Sequence, residues 1–221
     1  MVGSSIKRAL EKKDFKNLLT VTRESLDLMH SENVSKWFQI NKPEVVIIAA
    51  AKVGGIEANS KYPYDFILEN LKIQTNIIEN AWNDEVQSFT QSYGTLHLDA
   101  SVLLMEYYGF IEANNPKYVK TVKAIEKELS HEGLLFRYKN DDDFGTPSSS
   151  FTVCTFWFIS SLYKIGEKEK SKAMFDQLLS YSNHLGLFSE DIDFKSKRLL
   201  GNFPQAYSHL ALIDTALNFN R

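Results

Sequence analysis

The chain has 221 residues, 43% of them hydrophobic and 24% charged, with a net charge of −3. That length holds one large domain or two small ones with real cores, and the composition is that of an ordinary soluble globular protein. The near-neutral charge gives no electrostatic reason to expect nucleic acid or an acidic membrane as partner, and the single cysteine, Cys154, excludes an internal disulfide.

Residues 4–12 read as a helix with Ile6 and Leu10 on one face, and "NLLTV" (17–21) as a short apolar strand. "SENVSKWFQINKP" (31–43) reads as a helix that Ser31 can cap and Pro43 stops. "EVVIIAAA" (44–51) is a continuous apolar run of the kind buried on both faces of a parallel sheet. It is far too short to span a bilayer. The N-terminus lacks the apolar stretch of a signal peptide, so the expected location is cytoplasmic, with no membrane partner. A further helix starts after Pro63, with Phe66, Ile67, Leu71, Ile77 and Ile78 as its apolar positions. Alternating helix and strand in this way implies right-handed βαβ crossovers.

From residue 98 onward the pattern changes to helix after helix. Helices are expected over 98–111, over 115–133 between Pro116 and Gly133, over 148–166, over 167–186 and over 202–219. The run 148–166, "SSSFTVCTFWFISSLYKIG", is apolar nearly all round and should be deeply buried, with Cys154, Trp157 and Phe158 as core residues. The stripe Ala173, Met174, Leu178, Tyr181 and Leu185 should face inward from the fourth helix, and Tyr207, Leu210, Ala211 and Leu217 from the fifth. No alternating strand pattern is found in this part. The fold class expected is mixed: a partial α/β Rossmann-like segment over 1–80, then an all-α segment over 81–221.

"MVGSSI", "TRESLDL" and "AAAKVGGIEANSKYPYDFILENLKIQTNII" together resemble GDP-L-fucose synthase, an NADPH-using epimerase/reductase family, over about residues 1–80. By that resemblance Gly3 is the last glycine of the phosphate turn. Arg23, Asp27 and Leu28 lie where the cofactor's adenosine end binds, and Ala50–Gly55 follows the strand beside the nicotinamide half. NADP is the cofactor it implies. The first strand and two earlier glycines of the family pattern do not appear, and Val21 stands where the family tends to place an arginine. Reductases of this class need a Tyr-x-x-x-Lys pair so that the lysine charge favours the tyrosinate. None of the ten tyrosines has lysine four residues on, so reductase activity is not expected.

"SFTQSYGTLHLDASVLLM", "GLLFRY", "GLFSEDID" and "LLGNFPQAYSHLALI" resemble the C-terminal portion of glycoside hydrolase family fifteen, which includes glucoamylases, glucodextranases and trehalases. The likeness covers about 82–221 and implies part of an (α/α)6 barrel, an inverting hydrolysis that requires no cofactor, and an α-glucoside or trehalose-type substrate. Glu190 falls at the family's catalytic base, and Arg137 resembles a sugar-contacting arginine. The family's catalytic acid lies in its upstream half, so little or no activity is expected of this stretch alone, and the alternatives are a remnant NADP-binding module or a non-catalytic fusion or interaction protein. Asp141–Asp143 and Glu132 are other carboxylates, but their spacing does not place them across a sugar from Glu190. The two likenesses meet without a linker at "AWNDEVQSFTQSYG" (81–94), as in a fusion of two family fragments. Uncovered helix faces imply a homo-oligomer or a complementing chain. The five histidines (30, 97, 131, 184, 209) show no metal-ligand spacing.

Overall fold

The computed structural model describes residues 2–49, 56–141 and 145–219, of which about half are helical, with small antiparallel sheets. The chain divides into two compact units, Met1–Trp82 with Ser92–Gly94, and Asn83–Gln91 with Thr95–Arg221.

The first unit carries α1 (Val2–Lys12), α2 (Ser31–Asn41), α3 (Ile56–Lys61) and α4 (Pro63–Ile78). In α1 the half-buried positions Gly3, Ile6 and Leu10 share one face. Its core is small: Leu26, Val34 and Phe38 are buried, with Leu28, Trp37, Ile77 and Tyr93 packed around them. Phe38 meets Tyr93 edge-on at 5.2 Å. Ser31 is the first residue of α2 rather than its cap, which is His30. The helix ends because Lys42 turns left-handed and returns its N–H to the Phe38 carbonyl. Pro63 opens α4, where a missing N–H costs nothing.

The two strands expected in this unit are not present: residues 17–21 and 44–49 are irregular. Val45, Val46, Ile47 and Ile48 are between 41% and 76% exposed. A continuous apolar run becomes a buried strand only when other strands hydrogen-bond it and helices cover both faces. Among the described residues of this unit the one strand position is Trp82, at its very end, and none lies beside the 44–49 run. The Rossmann-like arrangement is therefore not seen in them, and residues 50–55 lie outside the description.

The second unit is built around α7 (Thr152–Lys164), flanked by α6 (Pro116–Leu129), α8 (Lys168–Leu179) and α9 (Ala206–Asn218), with the single turn α5 (Leu104–Tyr107) preceding them. Nine of the thirteen residues of α7 are buried, including Cys154, Phe156, Phe158 and Leu162. At roughly 1.5–3 kcal/mol per fully buried large apolar side chain, this helix is the main source of the unit's stability. Tyr118, Val122, Ile125 and Leu129 face it from α6 at helical spacing.

All five helices expected here occur, and each is shorter than its sequence signal. The 98–111 stretch is a 3-10 turn, Ala100–Leu103, running into α5, and Gly109 ends it with φ +72. The third expected helix begins only at Thr152, because Ser150–Phe151 is taken up by a sheet. α6 stops at Leu129 rather than Gly133. Ser130–His131 turns back on Leu134–Leu135 as a hairpin, across Glu132 and Gly133 at φ +50 and +80. A second small sheet pairs Ser150–Phe151 with Asp191–Ile192, and the latter with Leu199–Leu200. Two-residue strands leave no alternation for a sequence reading to find.

The inward face of α9 also differs from expectation. Ser208, Ala211 and Thr215 are buried, whereas Tyr207, Leu210 and Leu217 are 48–61% exposed. Small residues let α9 approach α7 closely enough for the Thr215 hydroxyl to donate to the Phe156 carbonyl at 3.1 Å. In α8 the buried positions are Ser171, Phe175 and Leu178, while Ala173 and Leu185 face solvent. The Ser171 hydroxyl donates to the Ile159 carbonyl at 2.7 Å, another close approach made by a small residue.

Candidate active site

Three segments of the second unit converge on the N-terminal end of α7. A helix N-terminus carries backbone N–H groups with no partner inside the helix. Here the Thr152 N–H donates to the Glu190 carbonyl at 2.9 Å. The Thr155 hydroxyl accepts from the Leu135 N–H at 3.0 Å, which fixes the segment leading to Arg137. The Arg137 carbonyl in turn accepts from the Ala100 N–H at 2.8 Å. Glu190, Arg137 and the 99–100 segment are thus tied by backbone to one place.

Glu190 is half-buried between buried Phe188 and Ser189 on one side and buried Ile192 on the other. The first turn of α9 clasps this loop. Gln205 N–H donates to the Phe188 carbonyl at 3.0 Å, and Ser208 Oγ to the Ser189 carbonyl at 3.0 Å. The Phe188 N–H meets His209 Nε2 at 3.3 Å, while His209 Nδ1 lies 2.6 Å from the Gln205 carbonyl. "NFPQAYSHLAL" therefore reads as a clamp on the loop that bears Glu190. The Glu190 carboxylate accepts two N–H bonds on Oε2, from the Asn202 backbone at 3.2 Å and from Asn202 Nδ2 at 2.9 Å. The Glu190 N–H donates to the Asn202 carbonyl at 2.9 Å.

Asp99 is an acidic side chain only 7% exposed. One oxygen accepts the Ser101 N–H at 2.7 Å and caps the 3-10 turn; the other lies 3.5 Å from Arg137 Nε. Arg137 keeps half of its side chain in solvent, the state of an arginine that is oriented but still open to a ligand. Trp157, half-buried on α7, meets Tyr207 of α9 edge-on at 5.7 Å, and Tyr207 is 48% exposed. Phe158, by contrast, is fully buried, as expected of a core residue.

The electrostatics join these groups. Burial pushes the Cys154 thiol well above its usual range, with the Asp99 charge adding to the effect, Arg137 opposing it, and Asp191 adding again. The thiol is an inert core group. Burial raises the Asp191 carboxyl, against a 2.6 Å hydrogen bond from Ser149 Oγ, and the neighbouring Glu190 charge raises it further. Burial also raises the Tyr207 phenol. Glu132 lies apart on the hairpin tip, exposed and held low by Lys197 at 2.8 Å. Asp142 and Asp143 fall outside the described residues, and among the described residues no group of three or more His, Cys, Asp or Glu is placed to hold a metal ion.

Asp99 and Asn202 were not picked out by the sequence reading. The signal for Asp99 is an acid set within the apolar run "LHLDASVLL". Asn202 has no signal beyond its turn-forming neighbours Gly201 and Pro204.

Comparison with known proteins matches residues 45–217 to the family model described as glycosyl hydrolases family 15. The chain belongs to glycosyl hydrolase family 15. It is 42% identical over 146 residues to a trehalase of Thermoplasma volcanium, covering 66% of this chain and 23% of that protein. Over 87 residues it is also 49% identical to GDP-L-fucose synthase 1 of Arabidopsis thaliana, covering 39% of this chain and 27% of that protein. The chain spans about a quarter of the length of the curated relatives it matches. The solved structure titled "Glycosidase Wild Type" superposes with a TM-score of 0.59 at 14% identity, covering 72% of this chain and 45% of that one. In this family-15 chain, Glu190, Arg137 and Asp99 all lie in the matched segment.

The first-unit residues singled out for a dinucleotide are placed differently. Gly3 sits in the first turn of α1, where an added Cβ would come 3.1 Å from the Ala49 side chain. Arg23 is exposed, 4.0 Å from Asp27, whose Oδ1 accepts the Met29 N–H. Leu28 is half-buried, and its carbonyl accepts from Asn76 at 2.8 Å. With no strand end beside them to seat a pyrophosphate, the described residues do not fit NADP. Among the described residues, no helix is long and apolar enough to cross a membrane.

Proposed function

We propose that the second unit carries the general-base side of an inverting α-glycosidase site acting on trehalose or a related α-glucoside, within a fold whose complete form is an (α/α)6 barrel. The observation that carries the reading is Glu190. It is a half-buried carboxylate at the family's base position, locked by backbone to α7 and the Asn202 turn, in a loop that α9 clasps at Phe188 and Ser189. The trehalase likeness of the same segment supports the substrate class. Arg137, aimed by Asp99 and half in solvent, is the group that binds sugar hydroxyls. The Trp157–Tyr207 edge offers an apolar surface for a sugar ring.

In this reading Glu190 takes a proton from a water whose oxygen attacks the anomeric carbon. A C–O bond forms on one face as the glycosidic C–O bond breaks on the other. A protonated carboxyl, about 6.5–9.5 Å away in an inverting pair, gives its proton to the departing oxygen. The hydrolase reading requires no cofactor.

α-D-Glucosyl fluoride isolates the base, because fluoride leaves without needing a proton. The full chain should release fluoride from it, and Glu190→Gln should lower the rate by about 10²–10⁴-fold, the usual contribution of a positioned base. Equal rates for the two proteins would remove Glu190 from the mechanism.

A further inference from the structure

A base is useful only if one of its lone pairs is pointed at the water. A glutamate side chain has three rotatable bonds with which to point elsewhere, and something in the fold must hold this one. We infer that Asn202 is the positioning residue of Glu190, and that Gly201 is the residue that permits the grip; the inference rests on the reading of Glu190 as base.

Three hydrogen bonds join the two residues. The Asn202 side-chain amide and backbone N–H both donate to Oε2, at 2.9 and 3.2 Å. The third runs the other way, from the Glu190 N–H to the Asn202 carbonyl at 2.9 Å. Residue 202 therefore fixes both the main chain and the carboxylate of residue 190. Two donors saturate one oxygen, and among the described residues no donor is bonded to Oε1. The carboxylate thus keeps a single oxygen for the water's proton. Glu190 itself is only half-buried, so its carboxylate is open to solvent.

Gly201 makes the approach sterically possible. A Cβ at that position would lie 2.9 Å from Glu190 Oε2, closer than real Cβ atoms pack, and 3.0 Å from Glu190 Cβ, a tight contact. Its φ of +73 is also a backbone region that other residues enter at a cost. The carboxylate rests directly on the bare backbone of Gly201 while Asn202 holds it from the next position. No side chain larger than hydrogen leaves both contacts intact.

Asn202→Asp has the same shape, so packing survives, but it replaces the shorter of the two donors to Oε2 by a carboxylate that repels Glu190. In the full chain, with α-D-glucosyl fluoride, Asn202→Asp and Gly201→Ala should each lower kcat by about 10²-fold, the scale of a reacting group misplaced by an ångström. KM should be little changed. An unchanged kcat, or a loss confined to KM, would overturn the inference. A second measurement does not depend on turnover: the Asn202 side-chain amide signals in 15N NMR during an acid titration. They should move as Glu190 takes its proton, and Glu190→Gln should abolish that movement. Signals that stay still in the parent chain, or move equally in Glu190→Gln, would overturn the inference whatever the activity. A titrating amide in a chain that releases no fluoride would support the grip and remove Glu190 as base.

Discussion

Asp99→Ala removes two interactions of different size, and the structure separates them. The first is the cap on the Ala100–Leu103 turn, where Asp99 Oδ1 accepts the Ser101 N–H at 2.7 Å. Loss of a cap costs about 0.5–2 kcal/mol. The second is the ion pair with Arg137, a 3.5 Å contact whose partner is half exposed, and such pairs contribute about 0–1 kcal/mol. Asp99→Asn keeps an oxygen to accept the Ser101 N–H and loses only the charge. Urea unfolding followed by far-UV circular dichroism should therefore place Asp99→Ala roughly 1–2 kcal/mol below the parent, and Asp99→Asn between the two. Turnover should not separate the two variants. Both variants free Arg137, so both should raise KM for α-D-glucosyl fluoride by a similar factor. If Asp99→Asn destabilises as much as Asp99→Ala, the charge pair outweighs the cap and the reasoning fails.

Thr155→Val deprives the buried Leu135 N–H of its 3.0 Å acceptor, so thermal or urea unfolding should show a loss of about 1–3 kcal/mol. Phe156→Ala, at the fully buried centre of α7, should cost about 3–5 kcal/mol by the same assay. The Asp191 carboxyl is raised by burial, so the folded chain holds that proton to higher pH than the unfolded chain does. Its contribution to stability is fully present below the ordinary aspartate value and is lost as pH rises through the raised one. Asp191→Asn should therefore make the stability difference between neutral and acid pH more favourable to neutral pH, measured by urea unfolding at both; no change would contradict the assignment. Leu210, Ile213 and Leu217 form an exposed row on α9, and exposed apolar rows promote association. Sedimentation should show self-association that weakens in Leu210→Asp, Ile213→Asp.

The helical unit was legible because its signals are local. Pro116, the largely apolar run 152–164, and Gly109 and Gly166 after α5 and α7 mark elements that tertiary packing then keeps. Its inward faces were less legible. Ser208, Ala211 and Thr215 face α7 because close approach favours small residues, and a hydrophobicity pattern assigns that face to Tyr207, Leu210 and Leu217 instead. The 44–51 run shows the opposite limit. Its composition suits a buried strand, but a strand exists only through neighbours, and among the described residues none pairs with positions 44–49. Glu190 and Arg137 are singled out by family resemblance and not by any pattern of spacing. Asp99 and Asn202 act through contacts 38 and 12 positions away in the chain, with Arg137 and Glu190, and spacing of that kind leaves no periodic trace in sequence.

The most direct test of the central claim is the stereochemistry of the first-formed product from α-D-glucosyl fluoride, followed by proton NMR before mutarotation. A water activated by Glu190 on the face opposite the leaving group yields β-glucose, and Glu190→Gln should abolish its appearance. First formation of α-glucose, or β-glucose formed equally well by Glu190→Gln, would contradict the account.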